Sequence, residues 1–338
     1  MKKRFVSGLK YTLIYSVITF ALLEGLLWIM GYRPYANTDY EVVSKPKNPY
    51  VADANLGIQL NPGTYRLKLN KKVKFKATHQ ENGQRFIPKK FEACTNKVLF
   101  LGCSYTYGYG VNDNESFTAI TQKKHHDWKV ENAAVVGYGT AQHLLQLRER
   151  LINETPECVV LCLSSVHFIR TVLSQNYRAN LRIGYRRSSS DVDDRMNGAR
   201  FPYFDNTSGK VKHAKWEDLY SEIPGRYWSA SINLLQNLRD KSKEPDCDPI
   251  KVTASLIKEM QDLCDKKGVA FGVICLDSNH ETKALEKQLK MSHWLNVGFS
   301  FKSKKCTHLP YDSHPNAKGH KKIAQSVIPF LEKLMSDG

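Results

Sequence analysis

The chain has 338 residues, of which 41% are apolar and 25% are charged, a composition typical of a folded globular protein and not of a disordered one. Its 50 lysines and arginines exceed its 33 acidic residues, so the formal net charge is +17. That charge favours either an anionic partner, such as acidic glycan, lipid headgroups or nucleic acid, or simply a basic soluble surface.

The first predicted element is a membrane anchor over residues 11–31. This run is apolar except for scattered hydroxyls and Glu24, and at ~1.5 Å per residue a helix of this length crosses a bilayer core of about 30 Å. No small-residue cleavage site follows it, which favours an uncleaved anchor over a signal peptide. Four basic residues precede or begin it (Lys2, Lys3, Arg4 and Lys10). They predict a cytoplasmic N-terminus, with everything after Arg33 periplasmic or extracellular.

Glu24 is costly inside lipid, and two interpretations remain open. It either lies close enough to the outer interface to reach water, or it pairs with another membrane helix.

Residues 34–96 are predicted to form a linker and a short β-rich lead segment. After a turn at residues 61–63, apolar residues occupy one parity (Tyr65, Leu67, Leu69, Val73 and Phe75) and basic residues the other (Arg66, Lys68, Lys72, Lys74 and Lys76). Period-two alternation is typical of strands with one packed face, and Asn70-Lys71 is a candidate hairpin turn. The basic face is either simply solvated or a docking strip for anionic headgroups or glycan.

From residue 97 to 338 the pattern becomes strand–helix–strand. The predicted strands are Lys97–Cys103, Trp128–Val136, Cys158–Leu163, Val269–Leu276 and a weaker one near Leu295–Phe301. The predicted helices run from Thr140 (as N-cap) through Leu151, and over Tyr227–Arg239, Pro249–Lys267 and Ala317–Met335. This order predicts a three-layer α/β sandwich with a small parallel sheet. A polar insert at about 174–226 is a lid, a specificity cap or a mobile loop.

Candidate chemistry falls at the junctions between strands and helices. Ser104 directly follows the first strand of the predicted sheet, and Asp312 and His314 directly precede the last helix. Each alone could merely cap a helix. Because such junctions share the carboxyl edge of a parallel sheet, the three can meet there as a hydrolytic triad.

Three motifs resemble those of the SGNH (GDSL-like) hydrolase superfamily. They are Gly102-Cys103-Ser104-Tyr105-Thr106-Tyr107-Gly108, the stretch from Asn132 to the turn Gly137-Tyr138-Gly139, and Asp312-Ser313-His314-Pro315-Asn316. The resemblance covers roughly residues 97–334, apart from the insert. It implies an SGNH or flavodoxin-like fold in a membrane-anchored variant of the superfamily. It also implies that the chain is an ester hydrolase or an acyltransferase.

The resemblance also implies residue roles. Ser104 is the expected nucleophile, His314 the base, and Asp312 the residue that orients the imidazole. The backbone N–H groups of Ser104 and Gly137 are the expected oxyanion donors.

Two positions depart from the family pattern. Cys103 stands where the family has an Asp beside the nucleophile. The stretch from 163 to 170 lacks the family's oxyanion-binding Asn, so His167 or Ser165 is the candidate replacement donor.

The function expected from these observations is a membrane-anchored extracytoplasmic serine esterase. Its substrates would be acyl esters, chiefly O-acetyl esters of envelope glycan or lipid, cleaved through an acyl-Ser104 intermediate. Two alternatives remain: an O-acyltransferase that uses the same site with an envelope-assembly protein partner, or a non-catalytic glycan- or lipid-binding protein with a degenerate site. No cofactor or metal is expected, and the membrane anchor argues against nucleic acid. Cys94, Cys247, Cys264 and Cys306 are candidates for one or two disulfides.

Overall fold

The computed structural model describes residues 2–36, 40–88, 96–188 and 191–337. They form two compact units: one comprises Met1–Asp39 and Tyr220–Glu244, and the other comprises Tyr40–Leu219 and Pro245–Gly338. The sequence-based division at residues 33 and 96 stays a prediction.

The helices of the described residues are distributed along the whole chain. In order they are α1 (Lys2–Ile29), α2 (Ser104–Tyr107), α3 (Phe117–Lys124), α4 (Thr140–Asn153), α5 (Val166–Thr171), α6 (Gln175–Ser188), α7 (Val192–Arg195), α8 (Ala230–Ser242), α9 (Pro249–Asp265), α10 (His280–Leu289) and α11 (Ala317–Ser336).

The strands lie in the second unit and group into one parallel sheet and several antiparallel ones. In order they are β1 (Val42–Lys45), β2 (Tyr50–Asp53), β3 (Gly57–Leu60), β4 (Gly63–Leu69), β5 (Val73–His79), β6 (Asn96–Leu101), β7 (Trp128–Asn132), β8 (Cys158–Leu163), β9 (Arg200–Asp205), β10 (Lys210–Lys215), β11 (Ala270–Cys275), β12 (Trp294–Asn296), β13 (Thr307–His308) and β14 (Asp312–Pro315).

The centre of the second unit is a five-stranded sheet in the order β12-β11-β8-β6-β7, with all neighbours parallel. Its central strands are apolar runs because both faces are covered. Leu99, Leu161 and Val273 pack on the side of α4 and α9. Alternate residues such as Val160 and Ile274 pack on the side of α3 and α11. The predicted three-layer α/β class is therefore confirmed.

Some local predictions were wrong in detail. The strand expected over Trp128–Val136 ends at Asn132. The fifth strand is β12, Trp294–Asn296, so it ends well before Phe301. Gly139, not Thr140, is the N-cap of α4. Its N–H donates to the Gln142 side chain at 3.0 Å, which satisfies the start of the helix one residue earlier than expected.

The lead segment folds as the alternating pattern indicates. Strands β4 and β5 pair antiparallel and turn at Asn70 and Lys71, whose φ angles are 44° and 60°, the left-handed pair that a tight hairpin requires. The apolar parity is buried, and Lys72, Lys74 and Lys76 are exposed on the other face.

The insert is packed rather than mobile over the part that lies in the second unit. Phe201 and Trp216, contributed by β9 and the short 3₁₀ helix after β10, are each 2% exposed. They share a core with Tyr65 and Leu67 of β4. The insert therefore forms a layer with the lead strands; residues 189–190 lie outside the described part.

Within the other unit, α1 carries a stretch, Lys10–Ile29, that is long and apolar enough to cross a membrane, and only 6% of that stretch is buried. The carboxylate of its Glu24 bonds the start of α8, and the two arrangements expected for this residue in a membrane stay predictions.

The seven cysteines within the described residues are all free. Cys264 and Cys247 pack on the α9 side of the parallel sheet, whereas Cys306 packs on the α11 side. The sheet therefore separates Cys306 from the other two, and Cys94 lies outside the described residues.

Candidate active site

The nucleophile candidate follows the end of a central strand. Strand β6 ends at Leu101, and Ser104 is the first residue of the short helix α2. Gly102 has no alternative here, because a Cβ at that position would collide with the Thr106 side chain. Gly108, in the left-handed region at φ 84°, ends the helix. The turn thus places Ser104 at the carboxyl edge of the sheet, 4% exposed.

Two buried polar side chains donate to backbone carbonyls of the loop that follows Ser104. The Arg85 guanidinium is 1% exposed and donates to the carbonyls of Tyr107 and Gly108 at 2.5 and 2.6 Å. Asn132, from the second motif, donates through its amide to the Thr106 carbonyl at 3.0 Å. Together with the Val111 N–H, which donates to the Gly108 carbonyl at 3.2 Å, both side chains pair the carbonyls of this loop and fix the path of the backbone beside the serine. Arg85 lies outside the three sequence motifs and was not among the predicted site residues.

The other two site residues lie on a short antiparallel pair. Strand β14 carries Asp312 and His314 and pairs with β13. Directly after it, the Asn316 side chain accepts from the N–H groups of Lys318 and Gly319 at 3.0 Å each and caps α11. The cap and the strand pairing fix both ends of this segment.

The structure brings Ser104, His314 and Asp312 into one hydrogen-bonded line. His314 Nε2 lies 2.8 Å from Ser104 Oγ, and His314 Nδ1 lies 2.7 Å from Asp312 Oδ1. The backbone N–H of His314 also donates to Asp312 Oδ1 at 2.7 Å. A hydroxyl bonded to an imidazole, which a carboxylate orients from behind, is the arrangement that activates a serine.

Tyr40, which sequence analysis did not single out, completes the surroundings of Asp312. Its hydroxyl donates to Asp312 Oδ2 at 2.6 Å across 272 positions of sequence. Burial alone would raise the pKa of Asp312, but the bonds from His314 and Tyr40 outweigh it and lower that pKa to about 2. Burial, with the neighbouring charges, raises the pKa of Tyr40 far above its ordinary value, so the hydroxyl stays a donor.

Aromatic rings hold the imidazole from two sides. The Tyr105 and Tyr109 rings each have their centroids 5.1 Å from that of His314. Tyr105 in turn stacks on Phe301 at 4.2 Å. Such packing restricts the ring to the orientation that reaches both Ser104 and Asp312.

The expected oxyanion donors lie on neighbouring loops. The Val135 N–H donates to the Gly102 carbonyl at 3.1 Å, which holds the loop containing Gly137 beside the β6–α2 turn. Gly137 has φ 88°, and its carbonyl accepts the Tyr177 hydroxyl at 2.5 Å, so its peptide is fixed. Within the described residues, neither the Ser104 N–H nor the Gly137 N–H donates to another group of the chain.

The two candidate replacement donors lie at the start of α5 in different environments. The Ser165 hydroxyl and N–H donate to the Asp277 carboxylate at 2.5 and 3.0 Å. His167 is fully buried, 5.0 Å from the His143 ring, and no group of the described residues bonds its ring nitrogens. Burial lowers the pKa of His167 well below its ordinary value and keeps it neutral. Their roles in binding an oxyanion stay predictions.

No cluster of three or more His, Cys, Asp or Glu side chains suited to a metal ion occurs in the part of the chain that the structure describes.

No family model and no curated protein matches this chain. Solved structures do match. The psychrotrophic esterase EstA from Pseudoalteromonas shares 13% identity, over 72% of this chain and 100% of that one, at a TM-score of 0.40. A putative lipolytic protein of the G-D-S-L family from Desulfitobacterium hafniense shares 10%, over 70% and 99%, at 0.38. A catalytic mutant of Axe2, an acetylxylan esterase from Geobacillus stearothermophilus, shares 13%, over 71% and 95%, at 0.35.

Two of these proteins are esterases, and one is a putative lipolytic protein of the G-D-S-L family. At such identities and TM-scores the likeness assigns no activity to this chain. Function is therefore inferred from the geometry of its own site.

Proposed function

We propose that this chain is a membrane-anchored, extracytoplasmic serine esterase. Its substrates are acyl esters, O-acetyl esters foremost, of envelope glycan or lipid. The observation that carries the proposal is the unbroken line from the Ser104 hydroxyl through the His314 imidazole to the Asp312 carboxylate, with bonds of 2.8 and 2.7 Å.

The first half of the reaction forms the acyl-enzyme. Ser104 Oγ attacks the ester carbonyl carbon while His314 Nε2 takes its proton. The carbonyl oxygen becomes an oxyanion that accepts from the N–H groups of Ser104 and Gly137. When the tetrahedral intermediate collapses, the C–O bond to the alcohol breaks and His314 returns the proton to that alcohol. Loss of one such N–H donor costs on the order of 10²–10³ in rate.

The second half regenerates the serine. Water attacks the acyl carbon while His314 Nε2 takes one of its protons, and collapse releases the acid and returns the proton to Ser104 Oγ. In both halves Asp312 faces a transient imidazolium. Its pKa of about 2 keeps it a carboxylate at neutral pH, which supports this role.

The proposed location and substrate class are supported by the charge and the apolar helix. Basic residues precede the span of α1, which favours a cytoplasmic N-terminus. The exposed face of the β4–β5 hairpin carries Lys72, Lys74 and Lys76, a surface suited to anionic glycan or headgroups.

The first experiment tests the nucleophile in the full-length protein in detergent. A fluorophosphonate probe is expected to label the wild type and not Ser104→Ala, while Ser336→Ala, which removes an exposed serine at the end of α11, labels normally. Turnover of p-nitrophenyl acetate should fall at least about 10³-fold in Ser104→Ala. Equal turnover in wild type and Ser104→Ala, or an unlabelled folded wild type, would contradict the proposal.

The second experiment identifies what resolves the acyl-enzyme. The protein is incubated with an O-acetylated oligosaccharide, with and without an unacetylated one, and free acetate and acetylated acceptor are quantified. An esterase releases acetate in both cases. If most acetyl groups instead reach the acceptor, the chain is an acyltransferase with the same Ser104 chemistry.

A further inference from the structure

The first turn of α8 is bonded to a carboxylate of α1. Glu24 accepts from the hydroxyls of Ser229 and Ser231 at 2.5 Å each, and from the N–H groups of Ala230 and Ser231 at 2.9 Å each. These bonds satisfy donors that a helix start leaves without intrahelical partners. They also fix the point along α1 at which α8 begins.

That point lies within the apolar stretch of α1 rather than beyond it. The stretch ends at Ile29, five residues after Glu24, which at ~1.5 Å per residue is about 7 Å of helix. Helices that lie in the plane of a membrane interface sit about 5–10 Å into the boundary between headgroups and acyl chains. If α1 spans a bilayer, α8 therefore begins at the depth of that boundary.

The surface of this segment is apolar where a protein in water would be polar. Trp228, directly before the helix cap, is 86% exposed, and Leu235 and Leu238 are 57% and 56% exposed. Leu235 and Leu238 are three residues apart and so share one face of α8. Transfer of exposed leucine surface from water to an apolar phase is favourable, so this face is stabilised by contact with acyl chains. Exposed Lys241 follows one turn later, where its amine can reach headgroups.

The residues around the end of the apolar stretch have the character of an interface. The Arg33 guanidinium lies 4.6 Å from the Trp28 ring, and that of Arg226 lies 4.0 Å from the Tyr35 ring. Tyr35 also packs edge-on against Tyr227 at 5.5 Å. Tryptophan and tyrosine concentrate at headgroup level, and an arginine beside them can keep its charged end in the headgroup region while its stem packs on apolar surface.

We propose that residues 227–242 form an interfacial membrane element, with Trp228, Leu235 and Leu238 inserted among the acyl chains of the bilayer that α1 spans. A lipid surface is the occupant because the exposed face belongs to the same unit as the apolar stretch, and because Glu24 sets the start of α8 at a depth within that stretch. The inference rests on the membrane anchor of the proposed function and is independent of the chemistry at Ser104.

The test measures tryptophan quenching by lipid in the full-length protein. The chain has five tryptophans. The protein is reconstituted into phosphatidylcholine vesicles brominated either near the glycerol end of the acyl chain or near the bilayer midplane. The emission of Trp228 alone is obtained by subtracting the emission spectrum of Trp228→Phe from that of the wild type. Its emission is expected to be strongly quenched by the shallow bromine and weakly by the deep one. Trp228 is 86% exposed, so its replacement by another aromatic residue is expected to leave folding intact.

Two further variants serve as controls. Trp128 is 5% exposed and stacks on His125, so the emission isolated with Trp128→Phe should escape both quenchers. Trp28 lies at the end of the apolar stretch, so the emission isolated with Trp28→Phe reports on the span itself.

The outcomes separate this inference from the anchor. Quenching at Trp28 with none at Trp228 overturns the interfacial element and leaves the span. Absence of quenching at both, with release of the protein by alkaline carbonate, overturns the anchor and this inference together. If the Trp228 emission is not quenched by bromine but its wavelength changes with the protein-to-lipid ratio, the interfacial element is overturned. The face would then contact a second copy of the chain.

Discussion

Asp312 and Glu24 are two carboxylates, one in each unit, that are bonded almost equally well. Asp312 accepts from the His314 ring, the His314 N–H and the Tyr40 hydroxyl. Glu24 accepts from two serine hydroxyls and two backbone N–H groups. The difference lies beyond the donors. The imidazole that is bonded to Asp312 is also bonded to the Ser104 hydroxyl, whereas the donors to Glu24 belong to the start of α8.

A carboxylate rich in hydrogen bonds is thus not by itself a sign of chemistry. A carboxylate of this kind has a catalytic role when one of the groups that donate to it can gain or lose a proton and also contacts a nucleophile. On this comparison Asp312 should govern rate, and Glu24 should govern only the attachment of α8 to α1.

The largest expected effect is that of Asp312→Asn. The amide can donate to His314 Nδ1 and so favours the wrong tautomer of the imidazole, which in serine hydrolases with this arrangement lowers kcat by about 10⁴. The measurement is kcat and KM for p-nitrophenyl acetate in the full-length protein. A loss of less than tenfold would contradict the assignment of Asp312 as the orienting group.

Tyr40→Phe should have a smaller effect, of about tenfold in kcat with KM nearly unchanged. It removes one donor to the charged form of Asp312, and a hydrogen bond to a charged group is worth roughly 1.5–3 kcal/mol, only part of which reaches the transition state. The matched control is Tyr311→Phe, beside Asp312 in sequence with an exposed ring, which should leave kcat unchanged. If both variants behave alike, Tyr40 is not a positioning residue.

The pH dependence of stability gives a third test of Asp312. Its pKa is lowered from 3.8 to about 2 on folding. The unfolded state therefore binds more protons between these values, and this contribution is lost as the pH falls. The wild type should lose about 1 kcal/mol more unfolding free energy than Asp312→Asn between pH 5 and pH 3. Urea unfolding at the two pH values measures it, and equal losses would show that Asp312 is not held ionised by its partners.

Glu24→Gln should have the smallest effect on catalysis, with kcat/KM unchanged within about twofold for folded protein. The charge that the α8 start binds is lost, so the attachment of α8 should weaken by roughly 1–3 kcal/mol. Hydrogen exchange of residues 229–233 would rise accordingly. A catalytic loss comparable to that of Asp312→Asn would remove the distinction between the two carboxylates.

The elements that patterns predicted well are those whose local sequence determines their environment. The strand Cys158–Leu163 is a continuous apolar run, and such a run needs a sheet covered on both faces. The alternation around Asn70 and Lys71 required a hairpin with one buried face. The strand expected over Leu295–Phe301 is shorter in the structure. Its regular pairing with β11 ends at Asn296, and beyond it single bonds continue from the Val297 and Phe299 N–H groups to the Cys275 and Leu276 carbonyls. The length of such a pairing depends on the neighbouring strand as well as on local propensity.

What the sequence by itself determined is the apolar stretch near the N-terminus, the α/β order, and the motifs that carry Ser104, Asp312 and His314. Residue type and spacing are local properties, so they can be read without coordinates. Only the tertiary structure decided that Tyr40 and Arg85 support the site and that Glu24 receives the start of α8. These contacts join positions 272, 22 and 205 residues apart, and pairing over such distances is a consequence of how the chain packs, which no local pattern encodes.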